Sequence, residues 1–257
     1  MLKVATWNVN GLRARQAQLQ QWLAEERPDV VCLQEIKCST EQVPPELRDL
    51  ADYWCYWHGA PGGYSGVGLL VSRRICPDRP VFEHPDFDFQ NRIVVARTGL
   101  LTVASVYVPN GNRDFPGKIR FLEALIEMAG QSAREDLVVA GDLNVARSDI
   151  DVHPKERKPR AIGQLPEERE RIEKLLAQGL VDLGRHFDPD NDRLFTWWPP
   201  WRNLRQRNIG WRLDYVLASP SMARRCLGCR VRPEVGTSDH APVVAEFTQE
   251  PLEKPLT

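Results

Sequence analysis

Gly141-Asp142-Leu143-Asn144 follows directly on the apolar run Leu137-Val138-Val139-Ala140. A buried strand that ends in a carboxylate and a carboxamide two residues apart sets both at one edge of a sheet. Asp142 can take a proton or hold a metal ion, and Asn144 can orient a water or a phosphate oxygen. Such a pair can aim water at phosphorus. On its own G-D-x-N is also ordinary turn chemistry, so the reading depends on what else the chain offers.

Five other segments close in the same way. Val30-Val31-Cys32-Leu33-Gln34 runs into Glu35, and Val103–Val108 leads through Pro109 to Asn110 and Gly111, placing Tyr107 and Asn110 at a strand end. Arg212-Leu213-Asp214-Tyr215-Val216-Leu217 carries an acid within an otherwise apolar strand. Asp239-His240 precedes Ala241-Pro242-Val243-Val244-Ala245, and the first strand ends in Trp7-Asn8-Val9-Asn10-Gly11. Titratable and polar groups gathered where apolar runs stop describe loops that build a site at one sheet edge.

The elements that must carry these residues follow from periodicity. Apolar β-type runs recur near 2–9, 29–35, 67–72, 92–97, 101–108, 137–141, 212–218 and 242–248, and helical patterns fill 12–26, 117–130 and 166–178. The last helix opens on Pro166 with Glu167 and Glu168 in its first turn. Strands such as 92–97 and 101–108 succeed each other without a helix between them, so the sheets are mixed. The pattern predicts a layered α/β fold. No linker divides the 257 residues, so residues 1–248 read as one domain, with a Pro-containing tail at 249–257 expected to fray.

Composition narrows the classes. Six cysteines at 32, 38, 55, 76, 226 and 229, with no leader-like segment ahead of them, read as reduced thiols of a cytoplasmic protein. Cys226-Leu227-Gly228-Cys229 lacks a second pair to complete a zinc site and reads as structural. No apolar run approaches a membrane span of roughly 18–20 residues, so no membrane association is expected. The net charge of −1 neither demands nor forbids nucleic acid; local charge is more telling. Residues 201–212 hold Arg202, Arg205, Arg207 and Arg212 without an acid, interleaved with Trp197, Trp198, Trp201 and Trp211. Arg with exposed Trp suits phosphate contact and base stacking. The run Lys155, Arg157, Lys158 and Arg160 reads as a solvated surface.

Six motifs stand in register: Trp-Asn-Val-Asn-Gly-Leu-Arg-Ala (7–14), Leu-Gln-Glu-Ile-Lys-Cys (33–38), Gly-Tyr-Ser-Gly-Val (63–67), Gly-Asp-Leu-Asn-Val-Ala (141–146), Gly-Trp-Arg-Leu-Asp-Tyr (210–215) and Ser-Asp-His-Ala-Pro (238–242). Together they resemble the exonuclease III type apurinic/apyrimidinic endonucleases of the endonuclease/exonuclease/phosphatase superfamily, from about residue 2 to about residue 248. The resemblance implies a four-layer α/β sandwich of two packed mixed β-sheets flanked by helices. It also implies a repair phosphodiesterase that cuts the backbone of duplex DNA 5′ to abasic sites, with 3′-exonuclease and 3′-end-cleaning activity beside it. The partner is damaged double-stranded DNA, and the protein is expected to act as a monomer.

Roles follow, partly from chemistry and partly from the resemblance. If the strand ends converge, Glu35, Asp142, Asp214 and Asp239 share one pocket. Carboxylates ~4 Å apart repel by about 4 kcal/mol at an effective dielectric near 20, so the cluster needs either raised pKa values or a cation. Oxygen ligands with no Cys favour Mg²⁺, with Mn²⁺ as the alternative, over zinc. Glu35 is the principal expected ligand, helped by Asn8 or Asn10 and by Asp239; some family members have Asp where Asn10 stands. Asp142 is the expected general base, Asn144 fixes its water, and His240 held by Asp214 neutralises a non-bridging oxygen. Tyr107 and Asn110 serve the phosphate or the leaving oxygen. Trp197, Trp211 and Leu213 are expected to wall the pocket for a flipped abasic sugar. Arg113 and Trp201 would press on the surrounding helix, while Lys37, Gly63 and Tyr64 meet backbone phosphates. The same scaffold serves phosphoinositide and RNA phosphoesterases, and a catalytically weak DNA-binding module is a third alternative.

Overall fold

The computed structural model describes residues 1–60, 62–99, 101–132 and 135–248, so the tail expected to fray at 249–257 lies outside the described residues. Among these, two six-stranded mixed sheets form. The first contains β1 (Leu2–Asn8), β2 (Val30–Gln34), β3 (Tyr53–His58), β4 (Val67–Ser72), β11 (Cys226–Val231) and β12 (Val243–Phe247), in the order β11-β12-β1-β2-β4-β3. The second contains β5 (Val81–Glu83), β6 (Ile93–Arg97), β7 (Thr102–Tyr107), β8 (Leu137–Asp142), β9 (Val181–Asp182) and β10 (Asp214–Ala218), in the order β5-β6-β7-β8-β10-β9.

The central strands are apolar along their whole length because both faces are covered. Val4, Val30, Cys32, Leu69 and Val71 from one sheet meet Val94, Ala96, Val103, Val138, Ala140 and Val216 from the other in a shared interior. The outer face of the first sheet is covered by α1 (Gln16–Glu26) through Leu19, Trp22 and Leu23, which pack on Ala5, Trp7, Val31 and Leu33. The outer face of the second is covered by α3 (Phe115–Gln131) and α4 (Pro166–Leu176), through Phe121, Leu122, Leu125, Ile172 and Leu175. These are the four layers the resemblance implies: helix, sheet, sheet, helix. Short helices α2 (Pro45–Arg48), α5 (Leu183–Phe187) and α6 (Pro220–Ala223) complete the described set.

Local chemistry sets the boundaries. Asp114 caps α3 by accepting from the Gly117 N–H at 2.8 Å, and Pro116 sits in the first turn. Helix α1 ends at Arg27, left-handed at φ +50°, whose N–H returns to the Leu23 carbonyl. The pattern predicted one helix over 12–26, but a 3₁₀ turn occupies Arg13–Arg15 ahead of it. Four strands were not anticipated. Tyr53–His58 lacks alternation because it is a half-buried edge strand of aromatics; Cys226–Val231 is an edge strand bulged at Leu227; the other two are two and three residues long. The six cysteines are free thiols.

Topology decides where the site forms. The pairs β1/β2 and β7/β8 are parallel, so Asn8, Gln34, Tyr107 and Asp142 all lie where their strands end. Strands β10 and β12 run antiparallel to β8 and β1, so Asp214 and the segment before Val243 begin at that same edge. Asp214 is directly opposite Asp142.

Candidate active site

Glu35 follows β2 in a left-handed conformation, φ +51°, which a branchless turn residue would adopt more readily. The turn swings its carboxylate over the sheet edge, where Oε1 accepts from the Tyr107 hydroxyl at 2.9 Å and from Asn8 Nδ2 at 3.1 Å. Asn8 also donates to Asp142 Oδ2 at 2.9 Å, so one carboxamide joins the two carboxylates across the two sheets. Gly141 belongs to this geometry, since a β-carbon there would overlap the Val106 carbonyl where β8 passes β7.

Asn144, left-handed at φ +52°, folds back on Asp142: its N–H donates to Asp142 Oδ1 at 2.9 Å, and its carboxamide meets the Val108 carbonyl at 2.9 Å. Asn110 Nδ2 donates to Asn144 Oδ1 at 3.3 Å. Opposite them, His240 Nδ1 bonds Asp214 Oδ2 at 2.8 Å while its Nε2 lies 3.8 Å from Asp142 Oδ2. Ser238 fixes the turn that carries the histidine, its hydroxyl donating to the Asn8 carbonyl and accepting the His240 N–H. Thr196 Oγ1 accepts the N–H groups of Leu213 and Asp214 and so holds the start of β10.

The electrostatics are strong because the cluster is dry. Burial pushes the Asp142 carboxyl up, Asp214 and Glu35 add to that, His240 opposes it, and the result is about 7. Burial alone would lower His240, but Asp214 and Asp142 outweigh it and carry the imidazole to about 10. Glu35 is held below its ordinary value because Lys37, 2.6 Å from Oε2, and His240 overcome the burial that would raise it. Burial beside Glu35 and Asp142 drives the Tyr107 hydroxyl well above its ordinary value, so it remains a donor. Arg92, 1% exposed, lies 4.7 Å over the Tyr107 ring and donates to the Tyr64 hydroxyl.

Glu35, Asp142 and His240 offer ligand atoms within 4.8 Å of one another. The half-buried Glu35 and buried Asp142 carboxylates offer oxygens that fit a hard divalent cation, and the surplus of negative charge favours one; Asn8 turns its NH2 group, not its oxygen, between them. Asn10 and Asp239 lie beside this group, not in it. Asn10 Nδ2 donates to Asp239 Oδ1 at 2.7 Å, its Oδ1 accepts from Lys37 at 2.5 Å, and Trp197 Nε1 donates to Asp239 Oδ2 at 3.0 Å. A second trio, His58, His84 and Asp88, also brings ligand atoms together. There the two imidazoles are stacked, centroids 3.7 Å apart and planes 22° from parallel, so their in-plane lone pairs cannot converge on one ion. His58 Nε2 bonds Asp88, and the trio clamps together the ends of β3 and β5.

The expected pocket wall gathers in one place. Trp197 and Trp211 meet edge to face at 5.5 Å and pack with Leu213, Ala146 and Val152, and the Trp197 ring lies 6.4 Å from His240. Trp201, at 57%, Tyr64, at 51%, and Arg113 are exposed, and Gly63 sits against the Lys37 carbonyl. Three residues of the Arg/Trp run depart from the solvent-facing reading, the first being half-buried Arg205, which lies over the Trp198 ring and donates to the Pro233, Ser238 and Val235 carbonyls. Trp198 is buried and bonds Asn208, and Arg212 is buried between Asp151 (2.6 Å) and Asp182 (2.8 Å). Local sequence could not reveal this, because the acids that neutralise Arg212 come from other loops. Sequence reasoning also passed over Lys118 and Glu168, an ion pair with both side chains fully buried. A signal existed: Lys118 shares the spacing of Leu122, Leu125 and Ala129 on the buried face of α3.

With this geometry established, comparison with known proteins gives a consistent answer. Residues 5–240 match the model of the Endonuclease/Exonuclease/phosphatase family. The chain is 35% identical over a 261-residue alignment to Recombination repair protein 1 of Drosophila melanogaster, which covers 96% of this chain but only 37% of that longer protein. Its structure is similar to that of a variant of the 3′ phosphatase NExo from Neisseria bound to product DNA hairpin, with 33% identity, a TM-score of 0.88 and coverage of 96% and 100%. It is also similar to an AP endonuclease from Archaeoglobus fulgidus, with 31% identity, a TM-score of 0.86 and coverage of 96% and 99%. The chain therefore belongs to the endonuclease/exonuclease/phosphatase family and is a hydrolytic nuclease of that family.

Proposed function

We propose that this protein is a Mg²⁺-dependent DNA-repair nuclease that hydrolyses the phosphodiester 5′ to an abasic site in duplex DNA and leaves a 3′-hydroxyl. One observation carries the reading: a Glu35–Asp142–His240 cluster stands beside an apolar wall of Trp197, Trp211 and Leu213. That wall suits a flipped sugar without its base, which leaves a small apolar void. The named activities of the two structural neighbours lend support.

In this reading Asp142 directs and deprotonates the attacking water, and Asn144 fixes where that water sits. His240, kept protonated by Asp214, donates to a non-bridging oxygen as negative charge grows there. Tyr107 and Asn110 hold the phosphate and stand near the leaving oxygen. Glu35 would hold the divalent cation, with Asn8, Asn10 and Asp239 beside it; the ion would supply charge neutralisation at the phosphate. In this reading the exposed Arg113, Trp201 and Tyr64, together with Lys37 and Gly63, meet the duplex, and the protein acts as a monomer.

The test is cleavage of a labelled duplex carrying one stable abasic analogue, with Mg²⁺, with Mn²⁺ and with EDTA, beside an intact duplex and a nicked 3′-phosphate duplex. Incision immediately 5′ to the analogue, abolished by EDTA, is expected. A second reading, chiefly a 3′-phosphatase, draws on the neighbour so named, and faster reaction of the nicked substrate would favour it. Inertness toward all three substrates would defeat both readings and direct attention to phosphoinositide and RNA esters.

A further inference from the structure

We propose that Lys118 is a positioning residue for hydrolysis: held by Glu168, it locks the Asp142–Asn144 turn against the Asn110 turn through their backbones. The inference rests on the proposed nuclease reading and adds to it a residue that touches neither substrate nor metal.

Lys118 sits at the start of α3, and its ammonium has three N–H groups. Each faces a different segment: the Asn144 carbonyl at 2.7 Å, the Asn110 carbonyl at 3.1 Å, and Glu168 Oε1 at 2.5 Å. Glu168 in turn accepts from the Gly163 N–H at 2.6 Å and the Leu165 N–H at 3.0 Å through Oε2. The pair thus ties together three loops on the second sheet's side of the site. Gly111 packs directly on the lysine stem: it is left-handed at φ +93°, and a β-carbon there would come within 2.8 Å of Lys118 Cδ.

Stability does not account for this arrangement. A buried ion pair loses so much hydration that well-packed apolar residues of similar size are often as good or better. What an apolar pair could not supply is a shared donor that ties the buried Asn144 carbonyl to the Asn110 carbonyl of the neighbouring turn. The carboxamides of the same two residues bond each other at 3.3 Å, and Asn144 also bonds Asp142. Without Lys118 the buried Asn144 carbonyl is stranded and its tie to the Asn110 turn is lost. The turns then rotate to find water, and the group aiming the nucleophile rotates with them.

Two double variants separate positioning from bulk: Lys118→Met with Glu168→Gln, and Lys118→Gln with Glu168→Gln. Neither leaves an unpaired charge buried, and only the second restores N–H donors toward the two carbonyls. The assay is steady-state incision of the abasic duplex, with kcat expressed per folded molecule. Affinity for an uncleavable abasic duplex is measured in parallel. The Met variant is expected to lose about 100-fold in kcat with KM and duplex affinity within about 2-fold, as a displacement near 1 Å can cause. The Gln variant should recover to within about 10-fold of wild type. Equal kcat in the two variants would overturn the inference. So would a Met variant that fails to fold where the Gln variant folds, since that would assign the lysine to stability. Wild type runs alongside: if it does not cut, the nuclease reading fails first, whereas an active wild type with two equal variants sinks only this inference.

Discussion

Replacing Asp214 by Asn should move the alkaline limb of the pH profile most, since Asp214 holds His240 directly and raises Asp142 less strongly. In the wild type Asp142 stands at about 7 and His240 at about 10, so carboxylate base and imidazolium coexist between those values. The expected profile of kcat/KM is a bell with limbs near both, belonging to the coupled pair and not to either residue alone. A bound cation would draw the acidic limb lower, because positive charge favours the carboxylate. Asp214 Oδ2 lies 2.8 Å from His240 Nδ1. Opposite charges at about 4 Å interact by about 4 kcal/mol at an effective dielectric near 20, equivalent to about 3 pH units. Asp214→Asn removes that attraction but keeps an oxygen for Nδ1–H, so the alkaline limb should fall from near 10 to near 7. At about pH 8.5 only about 3% of the imidazole then stays protonated, a loss of about 30-fold that shrinks to about 1.3-fold near pH 6.5.

Folding stability gives a second readout with a fixed sign. The folded pKa of His240 lies above its unfolded 6.5, so its contribution is fully present below about pH 6.5 and fades as pH rises through about 10. Wild type should therefore lose stability relative to Asp214→Asn across that window, by an amount on the order of the same 4 kcal/mol. Measuring kcat/KM and urea unfolding for both proteins from about pH 6 to about pH 10 decides the matter. A uniform loss of rate at every pH, with the alkaline limb still near 10, would refute a charged His240 held by Asp214.

Three further outcomes are expected. Asp142→Asn should lower turnover by orders of magnitude with duplex affinity nearly intact; retention of more than about a tenth of wild-type kcat would remove Asp142 from the base role. Glu35→Gln should raise the Mg²⁺ concentration needed for half-maximal activity at least about 10-fold, and an unchanged Mg²⁺ titration would place the ion elsewhere. Asp151→Ala leaves buried Arg212 with Asp182 alone and deprives Arg185 of its carboxylate partner. That should cost about 3–5 kcal/mol and lower Tm by about 10 °C, with kcat per folded molecule preserved; calorimetry showing no change would mean that the network relaxes into solvent.

The parts of this molecule that local sequence specifies were legible in it. Asn8, Glu35, Tyr107, Asp142, Asp214 and His240 could be assigned to one edge because each terminates or precedes an apolar run. Strand direction then leaves little freedom: parallel β1/β2 and β7/β8 end where antiparallel β10 and β12 begin. The start of α4 was legible from Pro166 followed by Glu167 and Glu168, although the bond of Glu168 to the Leu165 N–H and its pairing with Lys118 were not. Edge strands escaped because their pattern is set by partial exposure: Tyr53–His58 is rich in aromatics without alternation, and Cys226–Val231 loses its register at a bulge.

Buried charge escaped for a different reason. Arg212 and Asp151 are 61 positions apart, and nothing near either residue distinguishes a solvated cation from one sealed in the interior. The cost of burying either charge alone is what makes the partner obligatory, and that cost is met across the fold. The residues proposed to carry the chemistry therefore lie at strand ends, where local pattern reports them. The residues that hold them in place are pairs such as Lys118–Glu168, specified only once the chain has folded. Substituting one member of such a pair removes a charge and also strands its partner, so single substitutions confound stability with alignment. Only variants that neutralise both members can separate the two, which is why the lysine is best tested together with its glutamate.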